Sequence, residues 1–429
     1  MSHIGLLHSS RKHVIPSAAR NLLSAAAVLL AACGEPTPPT ASVLTQDDPV
    51  GGQYVAVAAG REHSCALAAD SVAYCWGSNE FLQLGVPRGA TTCVRPGTDR
   101  QIACELAPVR VSGALKFTKI RAGGSFTCAL TPDHLVYCWG DNAHGQLGSP
   151  GLRETYTPTP VADPGLFTEL AAGGNHACAV RTDQTVACWG ANDFGQVGIA
   201  SIGIGVASPA TVSTLIRFTA LTGGERRTCG ISSTSGGYCW GALWSGVDAN
   251  GGDIIRAQSR PAPVVNAPPL TSISAGLSAT CGVSDQHVAY CWQANHAGTF
   301  GTDSVIGSPT PIPVATELRF VLISTGGRHT CAIATDAHAW CWGADDQGQL
   351  GVTPSEVQGG CAGVPCSFLP IRVSGWRLFA EVSAGLGDHT CAVSSANNIY
   401  CWGAGYAGQR GDGTRRRASA PIMVAAPAM

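Results

Sequence analysis

Seven times the chain sets two cysteines ten positions apart, and each time tryptophan follows the second at once. The pairs are Cys65/Cys75, Cys128/Cys138, Cys178/Cys188, Cys229/Cys239, Cys281/Cys291, Cys331/Cys341 and Cys391/Cys401. The tryptophans are Trp76, Trp139, Trp189, Trp240, Trp292, Trp342 and Trp402. Successive first cysteines lie 63, 50, 51, 52, 50 and 60 residues apart. A period near 50 marks a repeat architecture, in which one unit cannot bury its own apolar face and stacks on its neighbours.

One unit reads as four short strands. Phe167 to Ala172 is a first strand, Gly173-Gly174 a turn, and Ala177 to Val180 and Thr185 to Trp189 two more strands. Pro158-Thr159-Pro160-Val161 marks an outer strand, where a missing N–H can face solvent. If Cys65 stands opposite Cys75, then Ala66 faces Tyr74, Leu67 faces Ala73 and Ala68 faces Val72. Ala69, Asp70 and Ser71 then form a three-residue hairpin loop. Opposed residues on antiparallel strands have Cα atoms about 4.5–5.5 Å apart, inside the disulfide window. Each pair can therefore close within its own hairpin. Alternation sends Cys65, Leu67, Ala73 and Cys75 to one face, and Ala66, Ala68, Tyr74 and Trp76 to the other. Both faces are apolar or small, so each hairpin is sandwiched between two neighbours. A radial propeller of seven blades meets that demand, and the fold class is all-β.

The motif Ala172-Gly-Gly-Asn-His-Ala-Cys-Ala-Val180, followed by Val186 to Gly198, resembles the repeat of the regulator of chromosome condensation family, as does Ser324–Ile333 with Trp340–Gly351. The resemblance runs over about residues 50 to 429 and implies a seven-bladed β-propeller. The hairpin cysteines resemble a bacterial, exported branch of that family. Units four and five depart from the pattern. After Trp240 comes Gly241-Ala242-Leu243-Trp244, without the usual Gly-Gln-Leu-Gly element, and Gln293 stands where glycine follows tryptophan elsewhere, so their outer loops should differ in shape. Ring closure is open: Pro49-Val50 could supply a stray outer strand, while Pro421 to Val424 looks like the regular one.

Nineteen cysteines point to an oxidising compartment. Besides the hairpin pairs, Cys93 goes with Cys104 and Cys361 with Cys366, leaving Cys33. Arg11, Lys12 and Arg20 precede an apolar run from Leu22 to Ala32, too short to span a bilayer, which reads as a signal-peptide core. Leu30-Ala31-Ala32-Cys33 resembles a bacterial lipoprotein box and implies lipidation of Cys33. Residues 1–33 are thus expected to be a lipoprotein signal peptide, 34–49 a Pro/Thr-rich tether, and 50–429 the propeller. Gly34 leans, by analogy, toward the outer membrane. The expected location is the bacterial cell envelope.

Composition argues against nucleic acid: the net charge is −2 and 13% of residues are charged. Arg415-Arg416-Arg417 reads as a solvated edge. His63, His176, His329 and His389 recur two positions before the first cysteine, too far apart in a ring to share a metal, and read as braces of their turns. Asp70, Asp133, Asp183 and Asp336, and Asn79, Asn142, Asn192 and Asn295, read as turn residues. No nucleophile, base and orienting group recur together, so no catalytic residue, cofactor or metal is assigned. Two insertions, Val86 to Ala107 and Val352 to Leu369, each hold a cysteine pair and are expected to flank the seventh blade as a groove. Arg88, Arg95, Arg100, Gln358 and Val364 are its candidate partner-binding residues. The expected role is a non-enzymatic, monomeric binding protein for a protein or glycan, held to the membrane only by its lipid. The resemblance also implies two other roles: guanine-nucleotide exchange on a small GTPase, or inhibition of a secreted enzyme.

Overall fold

The computed structural model describes residues 53–357, 359–361 and 363–427. Cys33 and the segments 1–33 and 34–49 lie outside them, as does Gln358. The described chain forms seven antiparallel sheets. Blade I is built from Tyr54–Ala59, His63–Ala68, Ala73–Ser78 and Gln101–Arg110, blade II from Lys119–Ala122, Phe126–Leu130, Val136–Asp141 and Glu154–Pro160. Blade III comprises Phe167–Ala172, His176–Arg181, Val186–Asn192 and Gly203–Thr211, blade IV Phe218–Gly223, Arg227–Ser232, Gly237–Val247 and Asp253–Pro263. Blade V comprises Leu270–Ala275, Ala279–Ser284, Ala289–Gln293 and Ser308–Pro313. Blade VI comprises Phe320–Thr325, His329–Ala334, Ala339–Ala344 and Val364–Arg372, blade VII Phe379–Ala384, His389–Ser394, Ile399–Gly403 and Ala418–Met423. Every outer strand contains proline, at the position where the lost N–H can face away from the sheet.

The hairpin register is the one the cysteine spacing implies. Cys65 pairs with Cys75, Ala66 with Tyr74 and Leu67 with Ala73, and Ala68 N donates to Val72 O at 2.9 Å. The other six hairpins repeat it, with Cys128 opposite Cys138, Cys178 opposite Cys188 and Cys229 opposite Cys239. Cys281 likewise faces Cys291, Cys331 faces Cys341 and Cys391 faces Cys401. Each of these seven pairs is closed as a disulfide, from Cys65–Cys75 and Cys128–Cys138 in blades I and II to Cys391–Cys401 in blade VII. Cys178–Cys188, Cys229–Cys239, Cys281–Cys291 and Cys331–Cys341 staple blades III to VI. One expectation is corrected: the Cα atoms of all seven pairs lie 4.0–4.1 Å apart, closer than the range expected from strand geometry. The reason is that each pair occupies a non-hydrogen-bonded site, where strands approach most closely. The third loop residue is left-handed in every blade: Ser71, His134, Gln184, Ser235, His287, Ala337 and Asn397 have φ between 60° and 68°.

The Cys-Trp dipeptide locks neighbouring blades together. Cysteine and tryptophan, one residue apart, point to opposite faces. Trp76 packs with Cys391 and Cys401, Trp139 with Cys65 and Cys75, and Trp189 with Cys128 and Cys138. Trp240 repeats the contact onto Cys178 and Cys188, Trp292 onto Cys229 and Cys239, Trp342 onto Cys281 and Cys291, and Trp402 onto Cys331 and Cys341. All seven indoles are buried. At about 150–250 Å² each and about 25 cal/mol per Å², each contributes on the order of 4–6 kcal/mol before the entropy of ordering is subtracted.

A second ring runs around the axis. The first glycine of each inner turn approaches the next blade's backbone so closely that a Cβ would collide. A Cβ on Gly60 would lie 2.6 Å from Gly123 O, and the series continues through Gly173, Gly224, Gly276 and Gly326 to Gly385, whose Cβ would lie 2.5 Å from Gly60 O. That recurrent glycine is therefore a steric requirement of closure. Among the described residues closure uses no shared strand: Ala418–Met423 completes blade VII, and Tyr54–Ala59 opens blade I. Val57 N donates to Glu381 Oε2 at 3.2 Å and Ala59 N to Ser383 Oγ at 2.9 Å across that junction.

Candidate partner-binding face

The meander places the first-to-second and third-to-outer connections at one end of every blade. This loop face carries both insertions. Their disulfides, Cys93–Cys104 and Cys361–Cys366, are formed, with Cα atoms 5.9 and 5.7 Å apart. Each insertion folds back as a fifth strand, Thr92–Val94 on the outer strand of blade I and Gly359–Cys361 on that of blade VI.

The two flanks of blade VII differ. Each outer strand leans on the preceding blade's loop, so the blade I insertion rests on blade VII. Cys93, Ile102 and Cys104 pack there with Ala407 and the partly buried Tyr406. Tyr406 Oη donates to Glu62 Oε1 at 2.9 Å, and burial first, then Glu62, pushes its phenol upward. Arg95 is paired with Glu62 at 2.6 Å and with Glu80 at 3.2 Å, and Arg100 with Glu80. Arg88 bridges to Glu154 of blade II at 2.8 Å. By the same rule the blade VI insertion leans on blade V. A Cβ at Gly298 would lie 3.2 Å from Cys361 Sγ. Its other side opens toward blade VII as a cleft of about 510 Å³, lined by Val364, Val357, Pro354, Asp345, Asp346 and Arg417. Burial pushes the Asp345 carboxyl up to about 6. Blade VII is thus sealed on one flank and open on the other.

The recurring histidines brace blades rather than their own turns. His63 Nε2 is 3.0 Å from Thr127 Oγ1, His176 Nε2 2.9 Å from Thr228 Oγ1, His329 Nε2 2.8 Å from Thr390 Oγ1, and His389 Nε2 2.8 Å from Ser64 Oγ. Each hydroxyl donates its proton to the carbonyl of Gln83, Gln196, Gln349 or Gln409. The imidazole must therefore donate from Nε2. Burial holds these four rings down at about 3 to 4. Arg227 takes the same place in blade IV, donating from Nε to Thr280 Oγ1 at 3.0 Å. Where Phe126 takes it, the next blade offers Ala177 instead of a hydroxyl. Gln83, Gln146, Gln349 and Gln409 each supply a carbonyl to the next tryptophan too, as from Trp139 Nε1 to Gln83 O at 3.0 Å. Asn79, Asn142, Asn192 and Asn295 accept from a backbone N–H five residues on, and Asp70, Asp183 and Asp336 from one two residues on.

The axial channel holds a cavity of about 210 Å³. Its hydroxyls stitch blades together: Thr222 accepts from Ala275 N, Ser274 from Thr325 N and Ser324 from Ala384 N, at 2.9–3.0 Å. On the loop face, Arg61 of blade I and Glu225 of blade IV pair at 2.5 Å across the ring.

The two irregular units meet each other. Blade IV replaces the loop with a hairpin of eleven-residue strands, Gly237–Val247 and Asp253–Pro263. Trp244 on that hairpin donates from its backbone N to Gln293 Oε1 at 2.5 Å. Gln293 holds φ 83°, a value otherwise met by glycine at this position (Gly77, for one, has φ 104°). Trp244 Nε1 donates to Asp253 Oδ1, and His296 Nε2 meets Asp253 Oδ2, both at 2.7 Å. Arg61, Glu62, Glu80, Glu225, Trp244 and the Gln293 contact escape sequence reasoning; the paired departures of units four and five are the one visible signal.

Residues 54–83, 117–146, 167–196, 320–349 and 379–409 match one model of the regulator of chromosome condensation (RCC1) repeat, and 70–130 and 133–180 match a second. These stretches of the chain match the regulator of chromosome condensation repeat. The matched stretches fall in blades I, II, III, VI and VII; blades IV and V keep the sheet with an altered loop element. The human probable E3 ubiquitin-protein ligase HERC4 is 33% identical over 106 residues, 25% of this chain and 9% of the ligase. The Arabidopsis thaliana mitochondrial RCC1 domain-containing protein RUG3 is 33% identical over 105 residues, 24% of this chain and 21% of RUG3. The chain therefore spans a small part of either relative's length. Among solved structures, yeast RCC1 (Prp20) bound to Kap60 aligns with TM-score 0.68 at 19% identity, covering 87% of this chain and 85% of that one. Human WBSCR16 aligns with TM-score 0.66 at 17% identity, covering 82% and 92%. At such identities the likeness concerns the fold.

Proposed function

We propose that this repeat propeller is a non-enzymatic binding protein of the bacterial cell envelope, anchored by lipid at Cys33 and held away from the membrane by residues 34–49. Its loop face recognises a protein or glycan, with Arg88, Arg95, Arg100, Gln358 and Val364 at the recognition edge. The supporting observation is that both insertions are folded onto the sheet as disulfide-stapled fifth strands. Loops fixed before binding lose little conformational freedom on contact, which is how a rigid scaffold gains affinity. A yeast structure with the same fold is described with binding properties to Gsp1p and histones, so protein partners have precedent on this architecture. The nine disulfides weigh against a partner in a reducing cytosol.

Two measurements test the reading. Metabolic labelling with a radioactive fatty acid should mark the wild-type protein, and Cys33→Ala should abolish the label and release the protein from the membrane fraction. Deleting Thr92–Glu105 together with Gly359–Ser367 should weaken partner capture by the folded propeller. Undiminished capture would sink the role of the insertions.

A further inference from the structure

Among the described residues, most exposed apolar side chains of the loop face gather over three neighbouring blades, with Val94 of blade I and Leu152 of blade II apart from them. Ile204 begins the outer strand of blade III, Val247, Ile254 and Ile255 stand on the blade IV hairpin, and Val305 and Ile306 on the blade V connection. Ile204 is 99% exposed and Ile306 77%. Single exposed apolar residues need no explanation, but a contiguous patch marks an interaction surface.

The patch surrounds a groove with Trp244 as its floor. Two cavities share Trp244 and Ala294. One, about 280 Å³, is walled by Ile255, Leu277 and Arg226; the other, about 210 Å³, by Val247 and Ile306. The groove is held before any partner arrives, through the bonds from Trp244 to Gln293 and Asp253. Gln293 keeps a side chain at a left-handed backbone position, and that side chain accepts the bond that fixes this hairpin.

Charge indicates what the groove takes. Glu225 is matched by Arg61, and Asp253 faces His296. Arg226 has no carboxylate partner among the described residues; its guanidinium lies over the Phe194 ring at 5.2 Å. An unmatched cation beside aliphatic walls suits a polypeptide better than a glycan, whose hydroxyls need polar partners.

We propose that this groove docks a segment of a partner protein presenting an aliphatic or aromatic side chain beside a carboxylate, the side chain entering over Trp244 and the carboxylate meeting Arg226. The proposal rests on the binding-protein reading and places its contact over blades III to V, across the ring from the stapled insertion of blade I.

The test pans phage-displayed random linear peptides on the full oxidised chain. Enriched peptides should carry an apolar residue next to Asp or Glu. Synthetic copies should bind the Ile255→Ser/Ile306→Ser variant about tenfold more weakly or worse, with melting unchanged because both side chains are exposed. Arg226→Gln should lower affinity several-fold and flatten its salt dependence. Enriched peptides lacking carboxylates would overturn the proposal. Binding untouched by these variants but lost in Val364→Ser would overturn it while leaving the binding-protein reading intact. A library yielding no enriched class would overturn the proposal and leave the binding-protein reading to the insertion-deletion test.

Discussion

One imidazole carries the contact at four of the seven blade junctions, and where phenylalanine takes its place the partner changes too. His63, His176, His329 and His389 meet hydroxyls, whereas Phe126 meets Ala177. Removing the hydroxyl leaves the buried imidazole N–H without its acceptor, and removing the imidazole leaves a hole beside the hydroxyl. His63→Phe or Thr127→Ala alone should each cost about 1–3 kcal/mol in denaturant unfolding. The double variant recreates the pair at the II/III junction and should recover part of that loss. Additive costs would show that the two side chains do not interact.

The same histidines set an acid limit. Their folded values, about 3 to 4, lie below the unfolded value of about 6.5, so the unfolded chain binds more protons. Their contribution is fully present above about pH 6.5 and is lost as pH falls toward 4. Within that window each histidine should remove about 1.4 kcal/mol per pH unit. Unfolding midpoints between pH 7 and 4 should fall steeply, and less steeply in the His63→Phe/Thr127→Ala variant. Identical slopes would show that the buried imidazoles do not drive the loss.

The blade is the element, and much of it is legible in residue order. Ten-residue cysteine spacing fixes the hairpin register, alternation assigns the two faces, and proline marks the outer strand. What contacts each face is less legible. The third hairpin-loop residue is left-handed whether it is Ser71, His134, Gln184 or Ala337, so no residue type announces it. Cysteine pairs flag both insertions, but their folding as fifth strands depends on backbone pairing that the pattern does not encode. The partnership of Trp244 with Gln293 spans two blades and exists only after they stack. Gln293→Gly should relieve the backbone but leave Trp244 N without its acceptor. The exposed hairpin should then exchange amide hydrogens faster at Leu243 to Val247 while the hairpin disulfide Cys281–Cys291 stays intact. Unchanged exchange there would remove Gln293 as the support of the hairpin.

At the scale of the whole molecule, the last junction is built like the others. Among the described residues blade VII and blade I share no strand, and Trp76 lies against Cys391 and Cys401 as Trp189 does against Cys128 and Cys138. Trp76→Ala should therefore cost as much as Trp189→Ala, about 3–5 kcal/mol in each case. A nearly neutral Trp76→Ala would mean that the ring is open at that point.

Each lock pairs a tryptophan with a disulfide, so the sulfurs decide whether this torus forms as described. Non-reducing peptide mapping of protein isolated without reductant, with free thiols alkylated first, reads them directly. The expected result is one bond inside each of the seven hairpins, plus Cys93–Cys104 and Cys361–Cys366. Alkylated hairpin cysteines, or bonds joining different blades, would contradict it.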